Sequence, residues 1–202
     1  MLEYLRTKDL SVQNKQFLID EADELYACGY NQYGQLGLGD SENHNTFTKV
    51  STPKPVASVS AGDLHSFFLN VTGELYACGY NYYGQLGLGD NEDRNTFTKV
   101  STPKPAVSFT SGDFHSFFLT VTGELYACGD NRYGQLGLGD NEHRNTFTKV
   151  STPKPVVSVT AGDCHSFFLT VTGELYACGY NLYGQLGLRD YKNRNTFTKV
   201  SN

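Results

Sequence analysis

The fold is decided by residues 62–88, which read GDLHSFFLNVTGELYACGYNYYGQLGL. The same stretch returns with few changes at 112–138 and at 162–188, each time 50 residues further along the chain. The first unit joins this frame from about Phe17 onward, and its earlier part is divergent and polar. Self-similarity at one fixed period is the signature of a repeat architecture. We therefore predict a single domain over residues 1–202. Its repeats are 1–50, 51–100, 101–150 and 151–200.

Within one unit the apolar residues alternate with a period of two, which predicts strands rather than helices. Residues 66–71 place apolar side chains on both faces of a strand, and residues 74–78 do the same. Residues 70–73 end in glycine and are expected to join these two strands as a β-hairpin. Shorter strands are expected at 56–60 and at 97–100. Each unit is therefore predicted to form an antiparallel sheet of four strands.

A sheet that is apolar on both faces needs a neighbouring sheet on each side. Radial stacking of such sheets is the arrangement of a β-propeller. We therefore predict an all-β fold, a β-propeller built of four-stranded antiparallel blades, with four blades per chain.

Composition narrows the classes of function. The chain of 202 residues has 16 basic and 21 acidic residues, a net charge of −5, so nucleic-acid binding through phosphate neutralisation is not expected. No apolar run approaches the roughly 18 residues of a membrane span, and the first nine residues carry no signal-peptide pattern. The five cysteines include no pair close in sequence, which favours an intracellular protein without disulfides.

Three repeated motifs invite a chemical interpretation, and we interpret each as structural. Asp63-x-His65 and its copies resemble metal ligands or acid–base pairs, but the histidine enters a buried strand, where its ring can bond nearby backbone. Cys78 and its copies lie 50 residues apart, without the close spacing of a zinc site. The segment 84–89 lacks the lysine of a phosphate-binding loop and is expected to turn the backbone between blades. We expect no catalytic residue, no metal and no cofactor.

The candidate binding residues are those at which the repeats differ. Such positions lie in predicted loops, where packing does not dictate the side chain and where binding groups usually sit. Tyrosine and arginine are also the residue types that anchor interfaces. The alternative is that exposed positions drift freely after duplication. The candidates are Gln32, Tyr82, Arg132 and Leu182 in one slot, and Tyr80, Asp130 and Tyr180 in another, where the first unit has Tyr30.

The motif Gly-x-Asn-x-x-Gly-Gln-Leu-Gly occurs at 29–37, 79–87, 129–137 and 179–187. Together with Gly-Asp-x-His-Ser, it resembles the repeat of the regulator of chromosome condensation family. The resemblance implies a propeller, which in that family ordinarily has seven blades. Cys78 departs from the pattern, because the family usually has tryptophan there and this chain has none.

Four blades in a family of seven leave an open arc. At about 51° per blade, four blades sweep roughly 206° and leave two uncovered sheet faces. Two chains can complete an eight-bladed ring at about 45° per blade, one chain can close on itself at about 90°, or the chain is a fragment. We favour the two-chain ring, a homodimer, and the other two arrangements stay open.

We predict a non-catalytic interaction scaffold that presents loop residues to a protein partner of unknown identity. The near-identity of 51–100 and 101–150 is typical of recent duplication or of engineering. The alternative is guanine-nucleotide exchange on a small GTPase, with chromatin association, as the resemblance implies. That activity is associated with a β-hairpin wedge inserted in a blade, and since every unit has 50 residues without an insertion, no candidate wedge is visible.

Overall fold

The computed structural model describes residues 10–12 and 14–201, and these ranges contain sixteen strands. The strands form four antiparallel sheets of four strands, which we name blades 1 to 4 in chain order. Blade 1 contains β1 Leu10–Val12, β2 Lys15–Ile19, β3 Leu25–Gly29 and β4 His44–Lys49. Blade 2 contains β5 Val56–Ala61, β6 His65–Asn70, β7 Leu75–Gly79 and β8 Arg94–Lys99. Blade 3 contains β9 Ala106–Ser111, β10 His115–Thr120, β11 Leu125–Gly129 and β12 Arg144–Lys149. Blade 4 contains β13 Val156–Ala161, β14 His165–Thr170, β15 Leu175–Gly179 and β16 Arg194–Lys199.

The predicted all-β class and the four four-stranded blades are confirmed. The part of the chain that the structure describes contains no helix long and apolar enough to cross a membrane. The first nine residues, where the sequence predicts no signal peptide, lie outside the described residues.

The strands of a blade follow one another in space as they do in sequence. The predicted hairpin is present, since the amide of Gly73 donates to the carbonyl of Asn70 at 3.0 Å and Gly73 has a φ of 80°. The sequence predicted that the fourth strand of blade 2 begins at Phe97. In the structure it begins three residues earlier, at Arg94. Arg94 pairs with Gly79, so this edge strand extends into a polar segment that carries no apolar alternation.

The first strands lie near the centre of the array and the fourth strands form its outer edges. Strand β9 lies beside β5 on one side and beside β13 on the other. The fourth strands are mostly exposed or half-buried, as the burial pattern of β8 illustrates. This radial order is that of a propeller.

The hydrophobic core lies between the blades. Phe17 and Leu25 of blade 1 pack in one cluster with Phe68 and Tyr76 of blade 2, and corresponding clusters join blades 2 and 3 and blades 3 and 4. Burying one such side chain stabilises a fold by about 1.5–3 kcal/mol. Each blade therefore depends on its neighbours for the burial of its faces, as the double-faced strands predicted.

Candidate partner-binding face

One end of the blades carries all the loops that connect third and fourth strands. His65 at the start of β6 pairs with Gly79 at the end of β7, so the 62–64 turn and the loop after Gly79 lie at the same end of the sheet. We call this end the upper face, and the end with the 70–73 hairpin the lower face. The upper loops are 30–43, 80–93, 130–143 and 180–193.

A buried asparagine organises each upper loop. The side-chain amide of Asn81 donates to the backbone carbonyl and to the carboxylate of Asp90, both at 3.1 Å. Its carbonyl oxygen accepts the amide of Leu86 at 2.9 Å. The backbone amide of Asn81 donates to Asp93 at 2.7 Å, and Arg94 holds Asp90 at 2.6 Å. The loop is therefore fixed from within. The side-chain bonds recur at Asn31, Asn131 and Asn181.

Residues 84–89 turn the backbone as expected, since the amide of Gly87 donates to the carbonyl of Gly84 at 3.0 Å, but the expected position of this turn between blades is wrong. This segment lies in the loop between β7 and β8, and since these strands pair, the loop returns to its own sheet. Its tip instead contacts the next blade. The amide of Gly89 donates to the carbonyl of Asn145 at 2.8 Å, and Gly87 lies against the ring of Phe147. The chain crosses between blades 2 and 3 at 100–105.

The upper loops hold neighbouring blades together through a repeated set of contacts, which we call the interblade clasp. At the first junction the carbonyl of Gln35 accepts the hydroxyl of Ser66 at 2.7 Å and the thiol of Cys78 at 3.5 Å. The amide of Gly39 donates to the carbonyl of Asn95 at 2.8 Å, and the side chain of Asn95 donates to the carbonyl of Gly39 at 3.0 Å. One blade thus supplies a loop half, and the next blade supplies a strand half. The contacts of Gln35 recur at Gln85 and Gln135.

The cysteines belong to this clasp. All five are free thiols, and burial raises the pKa of the Cys78 thiol well above its usual value. A protonated thiol is the form that can donate to a carbonyl. The position of Cys78 therefore has a packing and hydrogen-bonding role.

The repeated histidines also join blades. Nε2 of His65 lies 2.9 Å from the hydroxyl of Ser116 in blade 3, and that hydroxyl donates to the carbonyl of Gln85 at 2.9 Å. Because the serine proton is directed to Gln85, His65 carries its proton on Nε2 and donates it. The sequence predicted a bond to nearby backbone, whereas the partner is a side chain of the next blade.

The His–Ser pairs are closed to any substrate. His65 is fully buried and Ser116 is 1% exposed. Burial lowers the pKa of His65 to about 3 and that of His115 to about 4, so both rings are neutral. A nucleophilic serine must be reachable by the group it attacks. The His–Ser hydrogen bonds therefore have a structural role, which is to hold neighbouring blades together.

Lys15 takes the place of histidine in blade 1. Its ammonium donates to the carbonyl of Gly62 at 2.7 Å and to that of Asp63 in blade 2. The side chain is 3% exposed, and burial lowers its pKa to about 8. A long side chain thus replaces the ring and still joins the two blades. Gln13, which stands in the aspartate slot of this unit, lies outside the described residues.

Aromatic side chains form a nearly continuous row across the upper face. Tyr33 of blade 1 contacts Tyr80 of blade 2 with ring centroids 5.0 Å apart, and Tyr133 of blade 3 contacts Tyr180 of blade 4 at 4.9 Å. Between them, the ring of Tyr83 lies 5.7 Å from that of Phe114. We call this row the tyrosine belt. It comprises Tyr30, Tyr33, Tyr80, Tyr82, Tyr83, Phe114, Arg132, Tyr133, Tyr180 and Tyr183.

Blade 3 supplies the one charged pair of the belt. The guanidinium of Arg132 lies 4.8 Å from the ring centroid of Tyr83, a cation–π contact. The same guanidinium donates to the buried carboxylate of Asp130 at 2.9–3.1 Å. The charge of Arg132 is therefore matched from below by Asp130, while its planar face lies against tyrosine.

The structure brings most of the sequence-predicted residues together. Tyr80 contacts Tyr82 at 6.3 Å between ring centroids, and Arg132 binds Asp130. Gln32 accepts the hydroxyl of Tyr30 at 2.8 Å. Tyr180 belongs to the belt, while Leu182 is exposed on the last loop. Asp130 itself is fully buried, so it acts through Arg132.

Sequence reasoning missed half of the belt. The tyrosines at 33, 83, 133 and 183 are identical in every unit, so a search for differences between units passes over them. Phe114 stands where blades 2 and 4 have Leu64 and Cys164, and an exchange among such residues gives no sign of a surface role. The signal that could have revealed these tyrosines is their recurrence in every upper loop, although the hydrophobic core does not require a large side chain there.

The acidic turns on the upper face place Asp63, Asp113 and Asp163 near enough to interact electrostatically. Burial, with further contributions from Asp163 and Asp63, raises the pKa of Asp113 to about 6. Among the residues that the structure describes, no group of three or more His, Cys, Asp or Glu side chains could hold a metal ion.

Similarity to solved structures places the chain among known propellers. Human WBSCR16 superposes with a TM-score of 0.87 at 20% identity, covering 100% of this chain and 55% of that one. Yeast RCC1 (Prp20), solved bound to Kap60, gives a TM-score of 0.88 at 21% identity and covers 100% of this chain and 50% of that one. A second structure of Prp20p, from Saccharomyces cerevisiae, gives 0.85 at 23% identity, covering 100% and 52%. The chain therefore spans about half the length of these relatives.

Comparison of sequences gives the family. No curated protein matches the chain closely enough to be counted as a relative. A family model described as the RCC1-like domain matches residues 13–202, nearly the whole chain. The described sheets are those of an RCC1-type propeller, and the repeated loop motif runs through all four of them. The chain belongs to the RCC1-like domain family.

Proposed function

We propose that the chain is a non-catalytic interaction scaffold that binds a protein partner through the tyrosine belt. The observation that carries this proposal is the belt itself, a row of aromatic rings across four blades on loops that are fixed from within. Tyr82 is 65% exposed and Leu182 is 56% exposed. Tyrosine and arginine are enriched among the residues that dominate binding energies.

The charge of the belt favours a protein partner over a nucleic acid. Arg132 is already bound by Asp130, so little of its charge is left for a phosphate. Around it the belt offers ring faces and phenol hydroxyls, which can contact apolar side chains and backbone groups of a partner at once. The net charge of −5 adds no basic field. We further propose that the chain acts inside a cell as one propeller domain over residues 1–202, in keeping with its five free thiols.

The absence of catalysis is part of the proposal. Three polar side chains beneath the upper face are engaged in structural bonds: Asn81 within its loop, His65 with Ser116, and Lys15 with two carbonyls. Their burial keeps them away from any ligand that lies on the belt.

Nucleotide exchange is the competing function. Prp20p, which this chain matches at 23% identity, has binding properties to Gsp1p and histones. The described residues of this chain place all sixteen strands in the four regular blades, which leaves no additional hairpin among them. We expect no stimulation when the chain is added to small GTPases loaded with a fluorescent GDP analogue. Release faster than the spontaneous rate would replace the scaffold proposal with exchange.

Binding is tested with ligands selected on the full chain. Peptides from a displayed library are enriched on the immobilised protein, and their Kd is measured by calorimetry. Replacing Tyr82 and Leu182 together by alanine should weaken binding at least about tenfold, because Tyr82 is an exposed side chain of an anchoring type and Leu182 adds exposed apolar surface between Tyr180 and Tyr183 in the chain. Arg132 is left in place, since its removal would leave the buried carboxylate of Asp130 without the guanidinium that binds it.

The matched control lies on the lower face. Val121 and Val171 are 83% and 57% exposed, and replacing both by alanine should leave the Kd unchanged. Equal affinity of the Tyr82/Leu182 variant and the wild type, or a selection that yields no ligand dependent on the upper face, would refute the assignment of the site.

A further inference from the structure

The two ends of the blade array expose apolar surface that is covered everywhere else in the chain. On blade 4, Leu175 is 38% exposed, whereas its counterpart Leu125 in blade 3 is fully buried. On blade 1, Phe47 is 46% exposed, whereas Phe147 is 9% exposed. Among the described residues, the most exposed copies of these two side chains are therefore those on which no neighbouring blade packs.

The open face of blade 4 presents the loop half of an interblade clasp. Gln185 is half-buried and Gly187 is exposed, although both counterparts in blade 3 are buried. A Cβ placed on Gly137 would meet the ring of Phe197 at 2.3 Å, because that ring lies directly on the glycine. At Gly187 the nearest atom is Cγ1 of Val200 at 3.7 Å. The space that a phenylalanine of a following blade fills is open here.

The open face of blade 1 presents the matching strand half. Phe47 occupies the slot of Phe97, Cys28 that of Cys78, and Asn45 that of Asn95. In blade 2 these counterparts all contact the loop of blade 1. Cys28 is half-buried and Asn45 is exposed, so both are available for the same contacts.

We propose that a second copy of this chain covers both faces, with blade 4 of each copy packed on blade 1 of the other. The two halves differ, since one offers the carbonyl of Gln185 and a glycine groove, and the other offers a thiol, a side-chain amide and a phenyl ring. Two loop halves cannot form these contacts with each other, and neither can two strand halves. The two copies must therefore meet head to tail.

Closure follows from the number of copies. A head-to-tail contact generates a closed ring when the rotations sum to a full turn, and an open filament when they do not. Two copies of four blades close at about 45° per blade, with two identical junctions formed together. Each junction repeats the thiol, asparagine and glycine–phenyl contacts that the chain already makes three times within itself, while Gln16 takes the place of the serine.

Closure would also complete the tyrosine belt. Tyr183 is 83% exposed, while Tyr133, its counterpart, contacts Tyr180 of the next blade. In the ring, Tyr183 of one copy meets Tyr30 of the other. The dimer does not depend on the proposed partner binding, so either proposal can fail without the other.

The first test is the mass of the purified full chain in solution, by light scattering after size exclusion. One chain is 22.4 kDa, and we expect twice that mass. Phe47→Glu should reduce the mass to that of one chain, because the charge would be buried against the glycine groove. Phe47 is half-exposed in the single chain, so the variant should keep its β-sheet circular dichroism. Val121→Glu, on the lower face, should keep the doubled mass.

The second test traps the junction. Gly139 lies close to Thr196 across an internal junction, with a Cβ-to-Cγ2 distance of 3.8 Å, and the corresponding pair at the open ends is Arg189 and Thr46. A chain carrying Arg189→Cys and Thr46→Cys should give a covalent two-chain species on oxidation, and neither single variant should do so beyond the background of the native thiols. A one-chain mass at all concentrations, a ladder of longer polymers, a two-chain mass retained by Phe47→Glu, or a cross-link only within one chain would each overturn the proposal.

Discussion

At the scale of single residues, buried polar side chains tie the blades together. His65 donates to Ser116 of the following blade, and Lys15 does the corresponding work at the first junction with two backbone carbonyls. Burial keeps His65 neutral and lowers the pKa of Lys15 to about 8. A buried polar group is tolerated only when it is bonded, so these residues specify which blade faces which.

Lys15 should give the protein a stability that rises with pH in the alkaline range. Its pKa is about 8 in the folded chain and 10.5 when unperturbed, so between these values the unfolded chain holds a proton that the folded chain has lost. The free energy of unfolding therefore increases with pH over this window, by at most about 3 kcal/mol. Lys15→His should remove that increase, and its ring can reach Ser66 as His65 reaches Ser116.

Urea unfolding of both proteins at several values between pH 7.5 and 10.5 checks this expectation. Tyrosines and cysteines titrate in the same range in both, so the measured quantity is the difference between wild type and variant. Lys54→His, at a lysine whose side chain is 45% exposed, should leave the wild-type slope in place. Parallel curves for wild type and Lys15→His would show that the buried lysine does not carry this dependence.

At the scale of elements, the sequence predicted the strands better than the loops. Alternating apolar residues in 66–71 and a glycine-ended turn gave β6 and its hairpin, because both depend on local chemistry. The loop at 80–93 contacts the next blade, and no local pattern reports such a contact. A search for differences between units passes over Tyr83, which is the same in every unit, and its contact with Phe114 exists only in the folded chain.

Gly87 should be far less tolerant of a side chain than a glycine in a free turn. Its φ is 67°, and a Cβ would lie 2.5 Å from the ring of Phe147. Gly173 has a φ of 77°, with nothing within 4 Å of a Cβ. Gly173→Ala should therefore cost about 1–2 kcal/mol from backbone strain alone. Gly87→Ala should cost about 3–5 kcal/mol, because the ring must also shift. Chemical denaturation measures both, and equal losses would mean that the loop tip does not pack as described.

Asn81 should be the most sensitive polar residue of its loop. Alanine there leaves the amide of Leu86 without its acceptor and removes both bonds to Asp90. We expect a loss of about 2–4 kcal/mol in the free energy of unfolding, since buried groups lose their partners. Asn91→Ala removes an exposed bond to the carbonyl of Tyr82 and a long one, 3.4 Å, from the side chain of Asn145, and should cost at most about 1 kcal/mol. A similar small loss for both variants would contradict the central role of Asn81.

At the scale of the whole molecule, the sequence predicted the number of blades but not the two different surfaces that meet at each junction between blades. Four units of 50 residues predicted four blades, and the double-faced strands predicted that each blade needs neighbours. The polarity of the junction, with a loop half on one side and a strand half on the other, depends on contacts such as Gln35 with Cys78 across 43 residues. Those contacts make the two open ends complementary rather than merely apolar.

In a single chain, the strands of an end blade should be locally less stable than those of a middle blade, because one of their faces is open. Closure of the ring should remove this difference. In a single chain, β14 and β15 have one open face, with Leu175 38% exposed, whereas β10 and β11 are covered on both faces. Backbone amides open more readily where fewer apolar contacts hold the segment. In the Phe47→Glu variant, amides of β14 and β15 should therefore exchange with deuterium at least about tenfold faster than those of β10 and β11. In the wild-type ring the four strands should exchange at similar rates, and Val121→Glu should behave like the wild type. Equal protection of the four strands in the one-chain variant would mean that a blade does not need a neighbour on each side.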